Sequence, residues 1–412
     1  MLNIDILSII VGYMYREKTA NNVKNDKTKN DLKNFRSVSR RVLNGIKWNL
    51  RYFVHFDELK HLKYFPETVT QINFSSPDIK LDEIGFLPKT VTKIIFSNER
   101  MNRSIDNLPN TIETLMFVYG HAFNKSVDNL PSSIKRLTFG YSFNKSVDKL
   151  PNGLIYLKTG HDFNQPVDKL PNSIMYLELG YSFNQTIDKL PLNLKKLKLT
   201  SEYFDKSVDN LPKGLLSLSL SFAQPPSQSS NFNISIDNLP SSLLYLSTGY
   251  YFNGSVDNLP KGLRYLKFGN RFNQSVDNLP SGLETIIFDW HFNRSVDKLP
   301  QGLIVLKFGF YFDQCVDNLP ANLKYLSFQT YFNKSVKNLP NGLRHLKFGY
   351  SFNKSINKLP DSIVYLKLGM NFNRKIKRLP KELSTLEIYK SFDMNNLHNV
   401  DLTNIKIIKW VS

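Results

Sequence analysis

A proline preceded by Leu, or once by Phe, recurs at Pro66, Pro88, Pro109, Pro131, Pro151, Pro171, Pro191, Pro212, Pro240, Pro260, Pro280, Pro300, Pro320, Pro340, Pro360 and Pro380, which defines sixteen units, mostly 20 residues apart. A period this short and regular constrains the chain to a stack of small coils. One coil cannot fold alone, because ordering its backbone costs about 1 to 2 kcal/mol per residue and so few residues bury little apolar surface. Each coil must therefore bury its apolar residues against its neighbours, and the core runs the length of the stack.

Within a unit the residues after proline run x-x-Leu-x-x-Leu-x-Phe, as in Leu323-Lys324-Tyr325-Leu326-Ser327-Phe328. The last part alternates with the period of a strand, so each coil should carry one short parallel strand. Glycine often follows it (Gly140, Gly160, Gly180, Gly269, Gly309, Gly349, Gly369), where a tight corner can use a positive φ. Proline is expected to hold the opposite side extended. The short remaining segment, with a β-branched residue before the proline, leaves no room for a regular helix. The fold expected is mainly β: a leucine-rich-type solenoid with one short strand per coil of about twenty residues, preceded by a small α-helical leader.

The spacing Leu-x-x-Leu-x-Leu resembles that of leucine-rich repeats, in a short, proline-bearing form. More closely, residues 65–393 resemble the FNIP repeat family of amoebae and giant DNA viruses, with Phe163-Asn164-Gln165-Pro166 as the nearest local match. The asparagine of Phe272-Asn273 falls two positions later than the ladder asparagine of ordinary leucine-rich repeats, which leaves its hydrogen-bond partners open.

Residues 1–45 do not fit the repeat. Ile6, Ile9, Ile10 and Tyr13 are spaced as on a helix, and Leu32, Phe35, Val38 and Val42 form a second apolar face beyond a lysine-rich stretch. Leu2, Asp5, Ile6, Leu7, Ile10, Phe35, Val38, Ser39 and Arg40 match the two helices of an F-box by identity or type, with Asn3 in place of the expected proline. That resemblance implies docking, through Leu2, Asp5, Leu7, Ile10 and Val38, to the adaptor subunit of a cullin-type ubiquitin ligase. A hydrophobic cap on the open end of the stack is the alternative reading of the leader. Residues 46–64 are read as a linker or N-terminal cap, 223–230 as a loop insertion rich in Pro, Ser and Gln, and 394–412 as a C-terminal cap.

No catalytic constellation is recognisable. The seven histidines are scattered, there is one cysteine, Cys315, and no phosphate-cradling or nucleophile-elbow motif occurs, so neither an enzyme nor a metal or other cofactor is expected. Cys315 stands where most coils have serine and reads as a small spacer. The single cysteine favours a reducing, cytoplasmic setting, and no apolar run is long enough for a membrane span. Aspartate recurs from Asp106 to Asp317 once per coil, flanked by Val or Ile and by Lys or Asn, as suits a turn cap better than a calcium ladder.

The formal charge of +19 is concentrated at the ends. Residues 1–64 hold 13 Lys and Arg against 6 Asp and Glu, and residues 331–381 hold 12 against 1. Strand positions that should face outward carry Tyr156, Tyr176, Tyr245, Tyr265, Tyr325 and Tyr365, followed two residues later in their own or other coils by Lys158, Lys198, Lys267, Lys307, Lys347 and Lys367. Rows of Tyr and Lys offer aromatic anchors beside positive charge. The expected function is non-catalytic protein binding, with the solenoid gripping the substrate of a ubiquitin ligase. The alternative is nucleic-acid binding through the same rows and the basic C-terminal end.

Overall fold

The computed structural model describes residues 69–74, 87, 89–118, 122–220, 234–398 and 400–411. The leader with Leu2, Asp5, Leu7, Ile10 and Val38, the segment 46–64 and the insertion 223–230 lie outside the described residues. Among the described residues seventeen strands of three to five residues, from Gln71–Phe74 to Lys406–Trp410, each pair in parallel with the next in sequence. Equivalent residues of successive coils are in register: Tyr265 lies opposite Tyr245, Leu266 opposite Leu246 and Lys267 opposite Ser247. Among the described residues the chain is otherwise turns and irregular segments, with one short 3-10 turn at Met394–Leu397.

Alternation decides which side chains enter the core. In the strand Tyr265–Lys267, Leu266 is fully buried while Tyr265 and Lys267 are half-buried on the solvent face. Leu263, Phe268, Phe272, Val276 and Leu279 complete the interior of that coil. Replacing Leu266 by Ala is therefore expected to cost about 2 to 5 kcal/mol. Tyr265→Ala, on the solvent face, should cost far less. Equal shifts of the two denaturation midpoints would show that the register is wrong.

Two aromatic columns fill the core. Phe268 stacks on Phe272 within its coil at 3.8 Å between centroids, and the same pair recurs as Phe288 with Phe292 and Phe308 with Phe312, both at 3.7 Å. The interval between equivalent rings changes with depth. Against a strand spacing of about 4.8 Å, it is 5.2 Å from Phe268 to Phe288 beneath the sheet and 6.0 Å from Phe272 to Phe292 farther in. Coils that splay apart away from the sheet place the sheet on the inner, concave wall of a curved stack.

The proline side is not one extended run. In the coil ending at Pro260, one turn occupies 257–258 and another 261–262, and the Leu263 amide closes the second by donating to the Pro260 carbonyl at 3.0 Å. The glycines after the strands differ from expectation too, because none of Gly160, Gly180, Gly269, Gly309, Gly349 and Gly369 has a positive φ. What excludes a side chain is proximity: a Cβ on Gly160 would collide with the Gly140 carbonyl of the preceding coil, and one on Gly369 with that of Gly349. Backbone cannot yield as a flexible side chain would.

The asparagine, or in one coil the aspartate, that follows the buried Phe joins successive coils. The side-chain carbonyl of Asn273 accepts the Asn293 amide at 2.9 Å, Asn293 accepts the Asp313 amide at 3.0 Å, and Asp313 accepts the Asn333 amide at 2.8 Å. These bonds satisfy backbone donors that no strand ladder reaches.

Candidate functional site

The solvent face of the sheet is built from two outward columns per strand, because residues i and i+2 of a strand share a face. Tyr156, Tyr176, Tyr245, Tyr265, Tyr325 and Tyr365 all stand in the first column, and Lys158, Lys198, Lys267, Lys307, Lys347 and Lys367 in the second. Neither column is continuous. Lys196, Ser217, Thr285, Val305 and His345 interrupt the tyrosines, and Glu178, Ser219, Ser247, Ile287 and Ser327 interrupt the lysines.

Rings and cations interlock across the coils. Arg136 lies 4.4 Å from the Tyr156 ring centroid, Lys307 and Lys347 lie 5.2 and 5.8 Å from that of Tyr325, and Lys347 is 5.1 Å from that of Tyr365. Tyr245 and Tyr265 instead stack on each other. Such contacts fix long side chains at modest gain, about 0.5 to 1 kcal/mol each where exposed. Burial raises the Tyr265 and Tyr365 hydroxyl pKa values above the usual phenol value, helped by Tyr245 in the first case and by a hydrogen bond with Glu387 in the second. These tyrosines stay neutral at physiological pH.

On its sixth strand the sheet carries a carboxylate shared by two lysines. Glu178 lies 3.2 Å from Lys158 and 3.0 Å from Lys198, on the neighbouring strands. Burial pushes its pKa up, but hydrogen bonds and charge from Lys198 and Lys158 outweigh burial and hold it below 4.5. A depressed carboxylate stabilises fully above its unfolded value and loses that contribution as pH falls through the lower folded value. Wild type should therefore lose up to about 1 kcal/mol relative to Glu178→Gln in acid, which denaturant melts at pH 6 and below pH 4 would measure as converging midpoints.

Other outward residues escape a Tyr and Lys pattern. The position leading into the strand exposes Ile155, Met175, Leu216, Leu244 and Ile304 beside the two columns. Two adjacent corner positions after the strand expose further aromatics, Tyr141 and Trp290 at one and Tyr311 and Tyr331 at the next, with Tyr141 stacked on His161 at 4.1 Å, Trp290 on Phe310 at 5.2 Å and Tyr311 on Tyr331 at 5.3 Å. Recurrence of aromatic residues one or two positions before the buried Phe of the Phe-Asn step is the signal that marks these positions in the sequence.

The aspartate edge is internally satisfied. In the coil of Asp257, Ser255 Oγ donates to one carboxylate oxygen at 2.9 Å and Asn278 of the next coil to the other at 3.1 Å. Cys315 takes the serine place, its Sγ 3.1 Å from Asp317 Oδ2. Among the described residues no group of three or more His, Cys, Asp or Glu side chains could hold a metal ion, and no helix is long and apolar enough to cross a membrane.

The FNIP repeat pattern matches residues 123–149, 143–182, 163–199, 231–271, 252–291, 292–331, 315–351 and 332–371, more than half of the chain. The chain belongs to the FNIP repeat family. Its coils are also similar to a solved giant-virus structure, CroV588, described as a novel circular leucine-rich repeat protein, at 30% identity and a TM-score of 0.65. That match covers 84% of the FNIP chain, which spans only 63% of the CroV588 chain. A lower similarity, 11% identity with a TM-score of 0.48 over 81% of this chain and 55% of the other, links it to the Toll–Spätzle complex of Drosophila. Comparison with curated proteins gave no match. A leucine-rich-type repeat solenoid is in general a scaffold for protein-protein interaction, because its stacked coils present an extended surface.

Proposed function

We propose that this FNIP protein is a non-catalytic substrate receptor of a cullin-type ubiquitin ligase, with the sheet face as its substrate-binding surface. The observation that carries the substrate half is the array on the sheet face in which Tyr325 and Tyr365 interlock with Lys307 and Lys347, beside the stacked Tyr245 and Tyr265. Aromatic side chains held by neighbouring cations lose little freedom on binding and can act as anchors. The adaptor half rests on the F-box resemblance of Leu2, Asp5, Leu7, Ile10 and Val38.

Nucleic acid is a weaker occupant of the same face. Base stacking needs an open ring face. Here Tyr245 and Tyr265 cover each other, and Tyr325 already has two lysines within cation-π distance.

Adaptor capture tests the ligase half. Leu7→Asp or Ile10→Asp would place a charge in an apolar docking helix, and each is expected to reduce capture of the F-box-binding adaptor at least about tenfold, equivalent to ~1.4 kcal/mol. The circular dichroism of the solenoid should not change. Undiminished capture would sink the F-box assignment, whereas no capture by the parent protein together with lost stability on leader removal would make the leader a cap.

A further inference from the structure

The charge of the chain is sorted by face as well as by end. Between the strands Tyr245–Ser247 and His345–Lys347 the two outward columns hold Lys267, Lys307 and Lys347 and no carboxylate. The repeated aspartates of those same coils stand away from these columns and already have partners: Asp257 and Asp297 accept from Ser and Asn, Asp277 from Lys298, and Asp317 from Cys315 and Asn338. A count along the chain therefore makes the middle of the solenoid neutral while its sheet face is basic.

The three lysines occupy alternate coils, with Ile287 and Ser327 between them in register. Adjacent strands are about 4.8 Å apart, so successive lysines are spaced by roughly 9.6 Å along the stack. A polyproline II segment has three residues per turn and a rise of about 3.1 Å, so every third side chain returns to the same side after roughly 9.3 Å. A β-strand cannot do this, because its side chains alternate and every third residue changes face.

We propose that the sheet between Tyr265 and Lys347 receives an acidic polypeptide segment in the polyproline II conformation, with Asp or Glu at every third residue, laid along the stack. This rests on the reading of the sheet as a protein-binding wall and adds the chemistry and period of its partner. Lys267, Lys307 and Lys347 each meet one carboxylate. Ile287 and the ring of Tyr325 pack against the segment between those charges.

The test uses the full chain and a synthetic peptide of repeated Glu-Pro-Pro triplets, with a second peptide of identical composition whose glutamates form one block. Fluorescence anisotropy near physiological salt should show the periodic peptide binding about tenfold tighter, a preference removed in Lys307→Gln/Lys347→Gln at unchanged melting temperature. Equal binding of the two peptides would overturn the proposal, as would equally tight binding of a single-stranded oligonucleotide of the same charge, since anions would then be held by charge alone. Binding of neither peptide would overturn the acidic partner as well. The sheet's role as a protein-binding wall is judged separately, by cross-linking a partner from Tyr265.

Discussion

Phe292→Ala is expected to destabilise the solenoid by about 3 to 5 kcal/mol, the upper range for a truncated core aromatic. Phe292 is fully buried, stacks on Phe288 at 3.7 Å and has Phe272 and Phe312 each 6.0 Å away in the adjoining coils. The cavity cannot collapse easily, because the asparagine bonds beside it and the strand pairs beyond it hold the coil spacing. Since each coil contacts only its neighbours, the damage should be local. Amide exchange should rise most in the coils of Phe272, Phe292 and Phe312, and a urea melt should depart from two-state behaviour. A loss below about 1 kcal/mol would contradict the account of the aromatic columns as the main core.

Replacing Tyr265, Tyr325 and Tyr365 together by Ala should weaken partner binding at least about a hundredfold while leaving the coil core intact. Two interface anchors of about 2 kcal/mol each would exceed that loss. None of the three is needed inside, because each strand's inward residue is Leu266, Leu326 or Leu366, all fully buried. The binding loss, read by titration of the captured partner, should thus appear without a matching change in melting temperature. Loss of both together would mean that the rings act on the fold and not on the partner.

Much of this architecture was legible in single coils. The alternation of Tyr325, Leu326, Ser327 and Phe328 is enough to separate outward from inward residues, since a strand has only two faces. What one coil could not disclose is what passes between coils. The partner of Asn273 is the backbone of Asn293, twenty residues on, and it becomes evident only once the stacking register is known. Gly160 was open to the same misreading: its own corner does not demand glycine, but the carbonyl of Gly140 does. The seventeenth strand, Lys406–Trp410, has no Leu-Pro step to announce it and is placed by pairing with Thr385–Tyr389. Counting charge along the sequence also hid the basic sheet, because the compensating aspartates lie on another edge.

Site-specific photocross-linking measures the central claim most directly. A photoreactive phenylalanine analogue would be placed at Tyr265 or Tyr325 on the sheet, and separately at Asn278 or Asn318 on the exposed aspartate edge, in otherwise unaltered full-length protein. The account predicts that the partner is cross-linked from the two sheet positions and from neither edge position. Cross-links confined to Asn278 and Asn318 would contradict it.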